Sequence, residues 1–180
     1  MPRTSLLLDA WIAINLAATD HFRRIAETAN VTFVLTQQAA AEVGYLRDLH
    51  NGKVVATRIN LSQHATNGTV QIIDLHPAEY PLYLELARIV DDGEAATIAV
   101  AALRRLPLAT DDRKARRLCS DRQIPEPLRT LALIHAYADT AQLPPAEIRS
   151  LLIKIRDRAS FQPQRSDPDH KWWRDYIEPT

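Results

Sequence analysis

The chain has 180 residues, in which 22 Lys and Arg balance 22 Asp and Glu, and it contains a single cysteine, Cys119. One cysteine excludes a disulfide framework and a thiolate zinc site, and it favours a reducing, cytoplasmic location. No apolar run approaches the roughly 20 residues that span a bilayer, so we expect no membrane association. The zero net charge argues against a nucleic-acid binder that works through an overall positive potential.

The charges are unevenly distributed along the chain. Residues 1–103 contain 11 acids and 7 bases, whereas residues 104–180 contain 11 acids and 15 bases. The neutral total is therefore the sum of two opposed halves. Alone, a basic cluster is most often a solvated helix face. It becomes a candidate substrate-binding surface if an active site lies beside it.

Apolar runs and helical patterns alternate along the sequence. In chain order, the first predicted elements are a strand at 5–8, a helical turn at 11–16, a helix at 21–29 with Asp20 as its N-cap, a strand at 31–35 and a helix at 37–49 capped by Thr36. They are followed by a strand at 69–75, helices at 77–90 and 94–105, a strand at 106–109, a helix at 113–120 capped by Thr110 or Asp111, and helices at 129–138 and 145–159.

This alternation predicts an α/β fold, with a parallel sheet covered by helices on both faces. We expect a three-layer α/β/α domain over residues 1–161 that ends in a helical pair. The polar, proline-bearing tail at 162–180 is predicted to be irregular. Within residues 53–68 the pattern is ambiguous, because Val54–Val55 fits either a strand or the start of a loop.

Acidic residues follow the predicted strands. Asp9 ends the first strand, and Asp111 and Asp112 come just after the strand at 106–109. Glu94 starts a helix, and Glu42 lies in the alanine-rich segment QQAAAEVGYL without an oppositely charged neighbour. Because ligand sites of open parallel sheets form outside the carboxyl ends of the strands, we expect these carboxylates to share one cleft.

Several carboxylates in one cleft repel one another unless a cation neutralises them. Oxygen ligands favour Mg²⁺ or Mn²⁺, and such a site could orient a water and stabilise the charge that develops in phosphodiester hydrolysis. The competing interpretation is helix capping, since carboxylates are favoured at helix N-termini whatever the function. Asp9 is predicted not to be a cap, because its strand runs directly into Ala-Trp-Ile.

Four segments together resemble the PIN domain, a family of Mg²⁺/Mn²⁺-dependent ribonucleases that includes bacterial and archaeal proteins. They are LLLDAWIAINLA (6–17), LTQQAAAEVGYL (35–46), DDGEAATIAVAA (91–102) and LATDDRKARRLC (108–119). The helical segment at 130–158 is similar to the C-terminal part of one branch, so the resemblance covers about residues 5–160.

The resemblance implies a metal-dependent endoribonuclease with a PIN-like α/β/α fold, either alone or as the toxin of a toxin–antitoxin pair. Its catalytic acids would be Asp9, Glu42, Glu94 and Asp112, and Asp9, Glu94, Asp111 and Asp112 would bind Mg²⁺ or Mn²⁺. The RNA backbone would be held by basic residues of the following helix, namely Arg113, Lys114, Arg116 and Arg117. A homodimer and an antitoxin-like protein partner are also expected.

The sequence departs from the family pattern in three places. Ala10 replaces a Ser or Thr that often follows the first Asp, and the interval from Leu49 to Pro77 is long enough for an extra strand pair or loop. Trp172-Trp173 lies outside the resemblance, where it could stack on bases or dock against the domain. These departures support an alternative, a PIN-like binding or scaffold protein without catalytic activity.

Overall fold

The computed structural model describes residues 3–178, which form an α/β fold built on a four-stranded parallel sheet. The strand order is β5-β2-β1-β6, and every pairing within the sheet is parallel. A separate antiparallel hairpin pairs β3 with β4. The strands are β1 (Thr4–Leu8), β2 (Val31–Thr36), β3 (Tyr45–His50), β4 (Lys53–Arg58), β5 (Val70–Ile73) and β6 (Leu108–Ala109).

Ten α-helices are present in the described part of the chain. A 3-10 turn at Pro77–Glu79 precedes the fifth, so the helix predicted at 77–90 is shorter than expected. The helices are α1 (Ala10–Ala18), α2 (Phe22–Thr28), α3 (Gln37–Glu42), α4 (Leu61–Thr66), α5 (Tyr80–Leu86), α6 (Asp92–Arg104), α7 (Arg113–Asp121), α8 (Thr130–Thr140), α9 (Pro145–Arg158) and α10 (His170–Ile177).

Strand β1 explains why helices cover both faces of the sheet. Its side chains alternate in direction, so Leu6 and Leu8 enter one hydrophobic core while Leu7 enters the other. The first core is completed by residues of α1, α2, α8 and α9, and the second by residues of α5, α6 and α7. The predicted parallel sheet with helices on both faces is therefore confirmed.

The order of the strands fixes where a ligand site can form. From β1 the chain moves outward through β2 to β5, and it then returns to place β6 on the opposite side of β1. The carboxyl ends of β1 and β6 thus flank the point where the strand order reverses. None of the helices in the described range 3–178 combines the length and apolar character that a membrane span requires.

The helix predicted at 37–49 is wrong beyond its first six residues. It ends at Glu42, because Val43 adopts an extended backbone and the chain enters β3. Asn51 and Gly52 both have positive φ, 51° and 75°, as the tight turn between β3 and β4 requires. An antiparallel hairpin therefore spans residues 45–58 and extends into the long interval after Leu49, with Val54–Val55 on its second strand.

Two of the predicted N-caps are also wrong. Asp20 has a positive φ of 62° and pairs with Lys154 and Arg158, so His21 takes the N-cap position of α2. The cap of α7 is Asp112, whose Oδ1 accepts a hydrogen bond from the amide of Ala115 at 2.7 Å. The observed cap lies one residue after Asp20 in α2 and one or two residues after the predicted Asp111 or Thr110 in α7.

The C-terminal tail was predicted to be irregular, and this prediction is wrong for residues 170–177, which form helix α10. Trp173 is buried in the first core and meets Phe161 edge to face, with ring centroids 5.6 Å apart. Trp172 stacks on His135 at 4.4 Å. Of the two roles considered for this tryptophan pair, docking against the domain is the one observed.

Candidate active site

A cleft of about 570 Å³ opens at the carboxyl ends of β1 and β6. We call it the acid cleft, because six carboxylates line it together with a tryptophan, an asparagine and two basic residues. These side chains belong to Asp9, Trp11, Asn15, Asp91, Glu94, Asp111, Asp112, Lys114, Arg129 and Asp167. The sheet topology brings together four of the acids that the sequence predicted.

The register of β1 with β6 positions Asp9. Because Leu8 lies beside Ala109, the next residues, Asp9 and Thr110, are also adjacent, and the Thr110 hydroxyl donates to Asp9 Oδ2 at 2.6 Å. Oδ1 accepts from the amide of Trp11 at 2.6 Å, which makes Asp9 the N-cap of α1 and corrects the expectation that it would not be a cap. Burial of Asp9, which is 3% exposed, raises its pKa to about 6.

Asp111 is held by the start of α8. Its Oδ1 accepts from the amide of Thr130 at 3.0 Å, and its Oδ2 accepts from the Thr130 hydroxyl at 2.6 Å. The amide of the buried Asn15 donates to the same hydroxyl oxygen at 3.0 Å. Burial raises the pKa of Asp111, and the hydrogen bonds from Thr130 partly oppose that rise.

Glu94 has the most perturbed carboxyl group of the cleft. Burial comes first among the causes that raise its pKa to about 8, followed by repulsion from Asp112, Asp91, Asp9 and Glu42. In residues 3–178 no cation lies within ion-pair distance of any of these five carboxylates. A carboxyl group held among like charges without a counter-ion is typical of functional sites.

Glu42 lies behind the cleft and is not among the residues that line it. Its Oε1 accepts from the amide of Gly93 at 2.8 Å, at the positively polarised N-terminus of α6. A Cβ atom at position 93 would stand 2.6 Å from Oε2 of Glu42, so this approach depends on the glycine. Burial raises the pKa of Glu42, as does repulsion from Asp91 and Asp92.

Of the four basic residues predicted to bind substrate, Lys114 is the one that lines the cleft. Its Nζ donates to the carbonyl oxygen of Ile89 across the opening. Arg116 is committed to Glu126 at 2.6 Å and to the carbonyl of Pro127. Arg113 and Arg117 are exposed outside the cleft.

The sequence interpretation missed Arg129 and the segment that follows α9. Arg129 lines the cleft and pairs with the buried Asp167 at 3.5 Å. Residues 159–164, which we call the strap, form part of the cleft wall. The sequence signal nearest to this region is Asn15, a polar residue in the apolar helix AWIAINLAA, because its buried amide needs partners and donates to Thr130, the residue after Arg129.

The donor set suits a hard cation, since it consists of carboxylate oxygens. Within residues 3–178, no three or more His, Cys, Asp or Glu side chains are arranged as a group that could hold a metal ion. Mg²⁺, however, usually keeps several waters and takes only one or two protein carboxylates. The mutual repulsion around Glu94 is the property of this structure that a cation would relieve.

Comparison with protein-family models, curated proteins and solved structures finds no match to this chain. The PIN resemblance therefore rests on the residues and their order alone, and the activity that it implies is a proposal.

Proposed function

We propose that the protein is a metal-dependent endoribonuclease with a PIN-like fold and that the acid cleft is its active site. The observation that carries the proposal is the state of Glu94. Burial and repulsion from Asp112, Asp91 and Asp9 raise its pKa to about 8, and within residues 3–178 none of these carboxylates forms an ion pair. Such repulsion is costly in the free protein, and it is removed when a divalent cation binds.

Glu94 and Asp112 are the carboxylates best placed to hold Mg²⁺ or Mn²⁺. The Oε atoms of Glu94 accept no hydrogen bond within residues 3–178, and Asp112 engages one oxygen as the cap of α7. Asp9 and Asp111 already accept bonds at both oxygens, so they fit as supporting charges whose positions are fixed. Bound there, the cation would polarise a phosphodiester and lower the pKa of a water.

The other cleft residues bind and orient the substrate. Lys114 and Arg129 border the acids, and their positive charges can contact phosphates on either side of a scissile bond. Asp9, with its pKa of about 6, is largely ionised at neutral pH, so it adds a fixed negative charge that would favour the bound cation.

One observation favours a second candidate, a PIN-like protein that binds RNA without cleaving it. Both oxygens of Asp9 and of Asp111 are used in structural hydrogen bonds, which occupies acids that a nuclease would use at its metal. The two candidates share the same cleft and basic residues. They differ in whether bound RNA is hydrolysed.

The deciding experiment is a cleavage assay with Mn²⁺ or Mg²⁺ on single-stranded and structured RNA. We expect endonucleolytic products from the wild type, lost in EDTA. Glu94→Gln and Asp112→Asn should each reduce the rate at least ~100-fold, the scale of a lost electrostatic group in an active site. Asp121→Asn, which removes an exposed acid at the end of α7, is the matched control and should cleave normally.

Cleavage that persists in the double variant Asp9→Asn/Glu94→Gln would reject the proposed site. RNA binding with no cleavage under any divalent cation would favour the non-catalytic candidate. Metal binding is tested separately by the melting temperature, which should rise with Mn²⁺ in the wild type and rise less in Glu94→Gln. This readout does not depend on activity.

A further inference from the structure

We infer that Trp11 is a base-stacking residue that holds an unpaired nucleobase of RNA at the mouth of the acid cleft. This inference rests on the proposed function, since it names how the same cleft recognises its substrate. It follows from the exposure of the indole, from its fixed position beside Asp9 and from the composition of the cleft around it.

Trp11 is exposed in a way that the other two tryptophans are not. Its side chain is 59% exposed although it lines the cleft, whereas Trp173 is buried. Trp172 and Trp173 each pack against an aromatic ring of the domain, and no aromatic ring within residues 3–178 pairs with Trp11. The indole of Trp11 therefore presents an open face where the cleft meets solvent.

The backbone of Trp11 is fixed next to Asp9, and both residues line the cleft. Trp11 lies in the first turn of α1, and its amide donates to Asp9 Oδ1 at 2.6 Å. A base stacked on the indole would consequently place its own phosphate close to the carboxylates. Because the contact starts from a helix and a capping bond, it requires no ordering of a loop when the substrate binds.

The surroundings fit a nucleotide better than a protein segment. The cleft of about 570 Å³ has the size of a small-ligand pocket and is bordered by Lys114 and Arg129, which suit phosphate. The strap contributes two exposed glutamines, Gln162 and Gln164, whose amides can bond to base edges.

The stacking geometry also selects the state of the RNA. In a duplex the bases stack on one another and show only their edges in the grooves. An indole face can therefore meet a base only where the strand is unpaired, and every base has a π-face, so the contact tolerates different sequences. The inferred ligand is single-stranded RNA, or an unpaired nucleotide within a folded RNA.

The test measures binding of labelled single-stranded oligouridylate and oligoadenylate, with Ca²⁺ in place of Mg²⁺ and at fixed ionic strength. Trp11→Ala should bind roughly 5- to 150-fold more weakly, the range measured for loss of one stacked base. Trp11→Phe should retain most of the affinity. The matched control is Tyr45→Ala, because Tyr45 is 58% exposed on β3 but does not line the cleft.

Two further readouts are specific to stacking. RNA should quench the tryptophan fluorescence of the wild type, and Trp11→Phe should abolish the quenching while it keeps the affinity. An oligonucleotide with one abasic residue at the stacked position should bind the wild type more weakly, but it should bind Trp11→Ala as well as the intact strand does. Circular dichroism establishes that each variant is folded.

Equal affinity of Trp11→Ala and the wild type for single-stranded RNA would overturn the inference, and so would equally tight binding of a perfect duplex. Cleavage that does not depend on Trp11 would overturn it and leave the proposed function standing. Binding that depends on Trp11 without any cleavage would support it and reject the nuclease. A wild type that binds no RNA overturns both.

Discussion

A glutamate lies at each end of helix α6, and its pKa is lowered at one end and raised at the other. At the C-terminal end, Arg104 donates to both oxygens of Glu79, at 2.6 and 2.9 Å, and this pairing holds the pKa of the 2%-exposed Glu79 below its ordinary value. At the N-terminal end, Glu94 is partly buried among other acids, and its pKa rises to about 8.

The difference lies in the neighbours and not in the residue type. A buried carboxylate that serves the fold is given a cation and hydrogen bonds, because leaving it unpaired costs free energy. Among residues 3–178, no cation pairs with Glu94 or with Asp9, Asp91 and Asp112 around it, and natural proteins accept such local conflict mainly where it serves a function. This contrast separates the structural end of α6 from the candidate active site.

Removing the ion pair between Arg104 and Glu79 should give the largest loss of stability. Arg104→Met leaves Glu79 buried and unpaired, so we expect the free energy of unfolding to fall by about 3 kcal/mol in urea denaturation at neutral pH. Glu79 has a lowered pKa in the folded protein, so the pair stabilises the fold above the ordinary pKa and that contribution disappears as the pH falls through the folded value. The defect should therefore shrink in acid.

Arg88→Met is the control for this experiment, because Arg88 is exposed and forms no ion pair in the described residues 3–178. It should leave the unfolding curve within about 0.5 kcal/mol of the wild type, as surface substitutions usually do. If both variants unfolded alike, the pair would contribute nothing, and the contrast between the two ends would fail.

In the acid cleft, the contribution of Glu94 to stability should have the opposite dependence on pH. Since the folded pKa of Glu94 lies above its ordinary 4.5, the folded state binds more protons than the unfolded state between these values, and stability should decline as the pH rises from about 4.5 to about 8. In EDTA, Glu94→Gln should remove part of this decline and gain about 1–2 kcal/mol above pH 8, a figure that allows for solvent screening in an open cleft. Parallel pH curves for the variant and the wild type would contradict the raised pKa.

We expect the smallest effect from the hydrogen bond between Glu42 and the amide of Gly93. Alanine at position 93 would displace the carboxylate of Glu42 and break its bond to the amide of residue 93, although alanine favours the helix. Gly93→Ala should therefore be more favourable by about 1 kcal/mol in a Glu42→Ala background than in the wild type. A double-mutant cycle of unfolding free energies measures this coupling, and strictly additive values would show that the close approach carries no energy.

The hairpin at residues 45–58 shows that local sequence signals can favour a helix where the chain forms strands. Gln37–Glu42 is a good helix start, and Asn51-Gly52 resembles a helix end as well as a hairpin turn. The β-branched pair Val54–Val55 after that turn was the local signal for strands. Residues 45–58 pair with each other and not with the main sheet, so the α/β pattern did not require them.

Some residues of the candidate site could be predicted from the sequence, and others could not. Asp9, Glu94, Asp111 and Asp112 were predictable, because each follows a strand or starts a helix near the switch point of the sheet. Arg129 and Asp167 were not, since they form an ion pair between the residue before α8 and the connection from α9 to α10, two segments with no periodic pattern. The raised pKa of Glu94 likewise depends on distances that only the folded chain sets.

The sequence by itself determined the alternation of strands and helices, the parallel sheet and the positions of the acids along the chain, because periodicity and capping are local properties. The neutral total charge was informative only as the sum of its two unequal halves. The tertiary structure decided which charges meet. It pairs Arg104 with Glu79 and Arg116 with Glu126. Within residues 3–178 it leaves Glu94, Asp9 and Asp112 without an ion pair, in a cleft that the exposed Trp11 also lines. Charges act over the few ångströms between packed elements, and that spacing is a product of the whole fold.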